Sequence, residues 1–342
     1  MTVRHDGSRR LLRSWSVGRS WSVGALAITL AVALAGPAAA LSSVPSSSTD
    51  FPDPFVLPVT TTTTPATTTY YAYSTGSAGR NLQVMTSPDL VTWSSPTDPL
   101  PVLPAWASKG STWAPGVLAR PGGYVMYYTV RDSRSGRQCI SAAVGTSPSA
   151  FTDHSWAPMV CQLSRGGSID PSPFVAPNGT AYLLWKSDDN ALRQPTALWA
   201  RQLTANGRAL AGSGPTMLLQ ASQSWQGGVI EGPSMAYAGG TYYLFYGAGD
   251  WSSASAGIGY AACSSPLGSC ADRSGSGPWL GTHGAAVGPS GPALFSVRSG
   301  TSTTTKIAYH AWQGGVIGYP AGGVRDLWLD DVSFAGGAPT VP

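Results

Sequence analysis

The sequence predicts an all-β protein built as a five-bladed β-propeller, and three observations carry that expectation. The first is composition. Of 342 residues only 11% are charged, while 42 are Gly, 28 are Pro and 13 are Trp. That balance is too apolar and aromatic for disorder and suits many short strands joined by many turns. The second is an internal repeat: segments opening DPFVLPV, APGVLARPGG, DPSPFVAPNG, EGPSMAYAGG and GPALFSVRSG start at residues 53, 114, 170, 231 and 291. The third is the interior of each unit. Gly122-Gly123, Asn178-Gly179 and Gly239-Gly240 separate two strand-like runs, where they supply the positive φ angles of tight hairpins. Several strands in a unit that recurs at nearly constant length describe a propeller blade. A β-sandwich would not repeat in this way.

The elements follow in order. Residues 1–40 read as an export signal. Arg4, Arg9, Arg10, Arg13 and Arg19 form a basic start, GALAITLAVALAG (24–36) an apolar core, and PAAA (37–40) a small-residue cleavage site. The apolar core is short for a bilayer span, which weighs against a membrane anchor. SRRLLR (8–13) partly matches a twin-arginine signal, so Sec and Tat export both stay open. Residues 41–50 read as a Ser/Pro-rich linker, 51–336 as the propeller and 337–342 as a tail. Within the blades, YVMYYTV, AYLLWKS, TYYLFYGA and KIAYHAW have the aromatic and β-branched content of second strands. NLQVMTS (81–87), CISAAVGTS (139–147), TALWARQL (196–203) and GIGYAACSS (257–265) follow as third strands. The Thr-rich stretch 59–74 reads as an elongated hairpin of blade one.

Removing residues 1–40 leaves 15 basic and 15 acidic residues. The mature chain is therefore near neutral, which argues against nucleic acid as a partner. The expected state is a secreted monomer with no membrane attachment after cleavage. Four cysteines in an exported chain suggest two disulfides. Of three connectivities the sequence-local one, Cys139–Cys161 with Cys263–Cys270, is preferred.

The repeat gives scattered acids a common address. Inner strands of a propeller line the central channel, so Asp53, Asp170 and Glu231, each at the head of a repeat, should converge at one mouth. Ala114 and Gly291 hold the matching places in blades two and five. Clustered carboxylates separate one another's proton affinities, which suits glycoside hydrolysis by one acid and one base. Calcium binding by carboxylate oxygens is the alternative.

The order Asp-Pro-Phe-Val, Trp-Ala-Pro-Gly-Val, Ser-Ile-Asp-Pro-Ser-Pro-Phe, Ile-Glu-Gly-Pro-Ser-Met resembles glycoside hydrolase family 43. The resemblance covers roughly residues 50–334. It implies a five-bladed propeller that cleaves arabinose- or xylose-containing polysaccharides with inversion, with Asp53 as general base, Glu231 as general acid and Asp170 tuning and orienting Glu231. The two working carboxyls would then stand roughly 6.5–9.5 Å apart. It further implies Trp113 and Ile169 as pocket residues, Arg325 as a substrate contact, and His310 near a calcium or sodium ion in the channel, often through water. No cofactor is expected for the chemistry itself. Two departures stand out: Gly232 where many members have Ala, and Gly116 where an acid is common. Ile169 stands where fructan-active relatives carry arginine. The motifs favour an α-L-arabinofuranosidase or arabinanase. The alternatives are a β-xylosidase, another furanosidase, or a carbohydrate-binding propeller without turnover.

Overall fold

A computed structural model describes residues 41–342 except Ser43; the expected export signal lies outside the described residues. Among the described residues eighteen strands form five antiparallel sheets. Blade one contains β1 (Phe55–Thr60), β2 (Thr68–Thr75) and β3 (Leu82–Ser87). Blade two contains β4 (Ala107–Arg120), β5 (Gly123–Asp132), β6 (Gln138–Ser147) and β7 (Ala150–Thr152). Blade three contains β8 (Ser168–Val175), β9 (Ala181–Ser187), β10 (Ala197–Gln202) and β11 (Thr216–Gln220). Blade four contains β12 (Ile230–Ala238), β13 (Thr241–Ala248), β14 (Gly257–Cys263) and β15 (Cys270–Asp272). Blade five contains β16 (Ala286–Ser299), β17 (Ser302–Gln313) and β18 (Arg325–Val332). The propeller read from the repeat is the fold observed, and the Thr-rich stretch is the β1–β2 hairpin.

Five apolar clusters hold the blades together, one at each junction. Tyr73 and Leu82 meet Val117, Met126 and Tyr128 between blades one and two. Leu118 and Tyr127 meet Leu183 and Trp185 between two and three. Leu184 and Leu198 meet Met235 and Leu244 between three and four. Tyr243 and Phe245 meet Tyr309 and Trp328 between four and five. Phe295 and Leu327 meet Val56 and Tyr70 between five and one, which closes the ring. Alternation along each strand supplies both faces of a blade with apolar side chains, and their burial is the main force joining sheets that share no hydrogen-bond ladder.

The closure also uses segments outside the repeats. The N–H groups of Ser46 and Phe51 donate to the carbonyls of Leu327 and Arg325, and Leu327 N–H donates to Ser47. Residues 46–50 of the segment read as a linker, with Phe51 after them, thus lie along the edge of β18. The last residues also dock, with Ser333 and Thr340 exchanging backbone hydrogen bonds. Disulfides join Cys139 to Cys161 and Cys263 to Cys270, the pairing preferred from sequence.

Candidate active site

The site grows from one backbone device repeated five times. Asp53-Pro54, Ala114-Pro115, Asp170-Pro171, Gly232-Pro233 and Gly291-Pro292 occupy the same register, and their first residues have φ of 54, 44, 56, 56 and 62°. Proline lacks an N–H, so the ladder breaks here. The register shifts after Trp113, Ile169, Glu231 and Ser290. The left-handed residue of each pair is delivered to the wall of one cavity of about 1070 Å³ at the channel mouth.

This register corrects the alignment of the acids. The repeat pairs Glu231 with Asp53 and Asp170, but their structural counterpart is Gly232. Glu231 stands one residue earlier, equivalent to Trp113, Ile169 and Ser290. All three carboxyls still line the cavity.

A second ring of side chains holds the device in place. Opposite the residue preceding each dipeptide, the second strands carry Thr75, Thr129, Lys186, Gly247 and His310. Three of them accept the N–H of the next blade's left-handed residue. Ala114 donates to Thr75 Oγ1 (2.9 Å), Asp170 to Thr129 Oγ1 (3.0 Å) and Asp53 to His310 Nδ1 (2.9 Å). An ammonium cannot accept, so at Lys186 the arrangement changes and Gly232 N–H donates to Asp170 Oδ2 at 3.0 Å. Gly247 leaves room for Ser290, whose Oγ would collide with any Cβ there.

The three carboxyls sit in different fields. Burial alone would raise Asp53; the Arg325 guanidinium, 3.8 Å away, and the Thr75 hydroxyl outweigh burial and hold it below the usual carboxylate value. Asp170 is pushed up to about 8 by burial and by Glu231 beside it. Glu231 Oε2 lies 3.3 Å from Lys186 Nζ, whose side chain is only 1% exposed. Lys186 also lies 3.5 Å from Asp188 Oδ1. Burial opposes its charge, but Glu231, Asp170 and Asp188 together raise it.

Arg325 stands in an aromatic cage. Its guanidinium carbon lies 4.6 Å from the ring centre of Trp251, 5.5 Å from Tyr319 and 5.9 Å from Trp312. Its Nε and Nη2 donate to Tyr319 Oη at 3.0 and 2.9 Å. Stacking and hydrogen bonds together fix the cation beside Asp53. Trp113, Ile169 and Arg325 line the cavity, and Ile169 is buried.

His310 is buried, 2% exposed, and does not line the cavity. Burial, with Arg325 nearby, lowers it to about 3, so the ring is neutral. Because Nδ1 accepts from Asp53, the proton is assigned to Nε2, which has no hydrogen-bond partner among the described residues. That nitrogen offers no lone pair for direct ligation, so the fit to a channel cation is through an intervening water. Among the described residues no three His, Cys, Asp or Glu side chains cluster as a metal site.

Sequence reasoning missed Lys186, Trp251 and Tyr319, all of which line the cavity. A signal for the first existed: the chain contains one glutamate and three lysines, and the fold puts one of those lysines on that glutamate.

A sequence model described as "Glycosyl hydrolases family 43" matches residues 43–338. A structure described as a thermostable family-43 glycoside hydrolase shares 26% identity, covering 86% of this chain and 93% of that one with a TM-score of 0.73. An endo-1,4-β-xylanase from Bacteroides thetaiotaomicron shares 25% identity over 86% of this chain and 94% of that one, with a TM-score of 0.69. A protein named β-D-galactofuranosidase xynD from Aspergillus niger is 26% identical over 215 residues, 58% of each chain. The match thus spans little more than half the length of that curated relative.

Proposed function

The chain belongs to glycosyl hydrolases family 43, a family of inverting O-glycosidases, and on that premise we propose that it hydrolyses furanosidic bonds in arabinose-containing polysaccharide, as an α-L-arabinofuranosidase or arabinanase acting outside the cell. The observation that carries the reading is the opposed environment of three carboxyls around one cavity. Asp53 is held ionised beside Arg325 and Thr75, while Asp170 and Glu231 press against each other.

In this reading a water molecule lies between Asp53 and the anomeric carbon. Asp53 takes a proton from that water as its oxygen bonds to the carbon. The bond to the leaving oxygen breaks on the opposite face, and Glu231 gives that oxygen its proton. One displacement on the face opposite the leaving group inverts the anomeric configuration. Asp170, fixed by the Gly232 N–H, lies against Glu231 so that the two carboxyls share one proton, and Arg325 keeps Asp53 ionised. Two disulfides support an oxidising, extracellular setting.

The furanoside preference rests on the motifs around Glu231 and on chemistry. α-L-Arabinofuranose and β-D-galactofuranose, the sugar named in one relative, share ring configuration and differ in the exocyclic arm. The xylanase name carried by a relative of similar identity favours a second reading, xylan-directed cleavage. Residues 41–342 incubated with arabinan, arabinoxylan and aryl α-L-arabinofuranoside, β-D-galactofuranoside and β-D-xyloside decide between them. Arabinose or arabino-oligosaccharide released by wild type and absent with Glu231→Gln supports the first reading. Xylose or xylo-oligosaccharide alone establishes the second.

A further inference from the structure

Lys186 is unexpected where it stands. Its counterparts are Thr75, Thr129, Gly247 and His310; three of them cap a neighbouring amide and the fourth only clears space. A lysine does neither. Removing an ammonium from water is costly unless it is paired, and this one is buried with a carboxylate at 3.3 Å and another at 3.5 Å. The nearer partner is the only glutamate in the chain. The amide that Lys186 leaves uncapped is taken by Asp170, so the exchange at this one position both pins Asp170 and places a cation on Glu231.

We infer that Lys186 is a positioning residue for the acid step: its ammonium holds the Glu231 carboxyl in place and stabilises the carboxylate that Glu231 becomes when its proton passes to the leaving oxygen. The inference rests on Glu231 being the proton donor of the proposed reaction. Balance is kept within that step. The Glu231 O–H bond breaks, an O–H bond forms on the departing oxygen, and the negative charge left on Glu231 faces Lys186. Asp170, raised by burial and by Glu231 beside it, keeps the proton of the carboxyl pair within reach of Glu231 while Lys186 holds that carboxyl in place. The charged and titratable groups facing Lys186 and Glu231 are Asp170 from β8 and Asp188 after β9, with Asp53 in turn facing Asp170.

The single glutamate makes the test direct. Protein grown on glutamate labelled with ¹³C at the side-chain carboxyl gives one titrating carboxyl carbon, that of Glu231, whatever the sugar substrate proves to be. Wild type, Lys186→Met and Lys186→Arg are titrated side by side, with folding checked by circular dichroism. In Lys186→Met the carboxyl carbon should titrate at least about one pH unit higher than in wild type, a tenfold change in proton affinity. Lys186→Arg should stay near wild type. Hydrolysis of a natural oligosaccharide, with its poor leaving group, should fall about tenfold or more in Lys186→Met, while an activated aryl glycoside should lose much less.

Superimposed titrations of wild type and Lys186→Met would overturn the inference, as would an equal loss on both substrates. Should Lys186→Met fail to fold, the Lys186→Arg titration and leaving-group comparison still decide, because a guanidinium at that place must preserve both. If no glycoside is turned over, the titration still reports on Lys186 while the proposed function fails separately.

Discussion

His310 Nδ1 accepts the main-chain N–H of Asp53 at 2.9 Å, so the second strand of the last blade orients the candidate base on the first. The ring is closed twice at this junction: once by apolar packing of Phe295 and Leu327 against Val56 and Tyr70, and once by a hydrogen bond inside the site. The contact predicts a split between two variants. His310→Ala leaves a buried amide unpaired at a cost of about 1–3 kcal/mol, and should lower both melting temperature and turnover. His310→Gln, which retains an acceptor, should recover part of each.

Acid should narrow the gap between wild type and His310→Gln. The unfolded imidazole takes up a proton near 6.5, whereas the buried ring resists protonation down to about 3. Between those values the unfolded state binds the extra proton, so this group's contribution to stability is lost as pH falls through that window. Melting temperature measured from pH 7 to pH 3.5 should therefore fall more steeply for wild type than for His310→Gln.

Arg325 and Asp53 set the acidic side of the rate profile. The cation outweighs burial and holds the base ionised, so Arg325→Gln should make Asp53 take up its proton at higher pH. The acidic limb of kcat/KM against pH should move upward, with rate lost at any fixed pH on that limb. Trp251→Ala should move it in the same direction by less, because Trp251 only stacks on the guanidinium. An unmoved limb in Arg325→Gln would remove Arg325 from this role.

Asp170 sets the basic side. Its carboxyl, raised to about 8 by burial and by Glu231 beside it, lets the pair keep one proton between them up to that pH, and Asp170→Asn removes the partner with which Glu231 shares it. The basic limb should move to lower pH, and turnover of poor leaving groups should fall more than that of aryl glycosides. Equal losses would instead mean that Asp170 only binds sugar.

The two disulfides close loops of different length, with sequence separations of 22 for Cys139–Cys161 and 7 for Cys263–Cys270. Chain-entropy reasoning gives about 3 kcal/mol for the longer and about 2.5 kcal/mol for the shorter. Paired serine substitutions measured by urea unfolding should each destabilise, with the larger drop for Cys139/Cys161. Values within error of wild type would mean that the bonds do not form in the native protein.

Much of this molecule was legible in the residues. The repeat about Asp53, Ala114, Asp170, Glu231 and Gly291 set blade number and strand order, because each unit has the same turn chemistry and alternation, and these are local properties. The same repeat brought Asp53, Asp170 and Glu231 to one channel mouth, and closeness in sequence chose the cysteine pairing. It misplaced Glu231 by one residue, since similarity of motif does not reveal where proline breaks a ladder. It was silent on Lys186, on the Trp251–Arg325–Tyr319 cage and on the docking of residues 46–51. Those depend on which side chains from different blades share a space, and on how each loses water there. Composition and period determine which strands form and in what order; the charge that a buried carboxyl carries is decided only by the neighbours that the closed ring sets against it, because the field of a cation a few ångströms away is strong when water is excluded and is nowhere written in the local sequence.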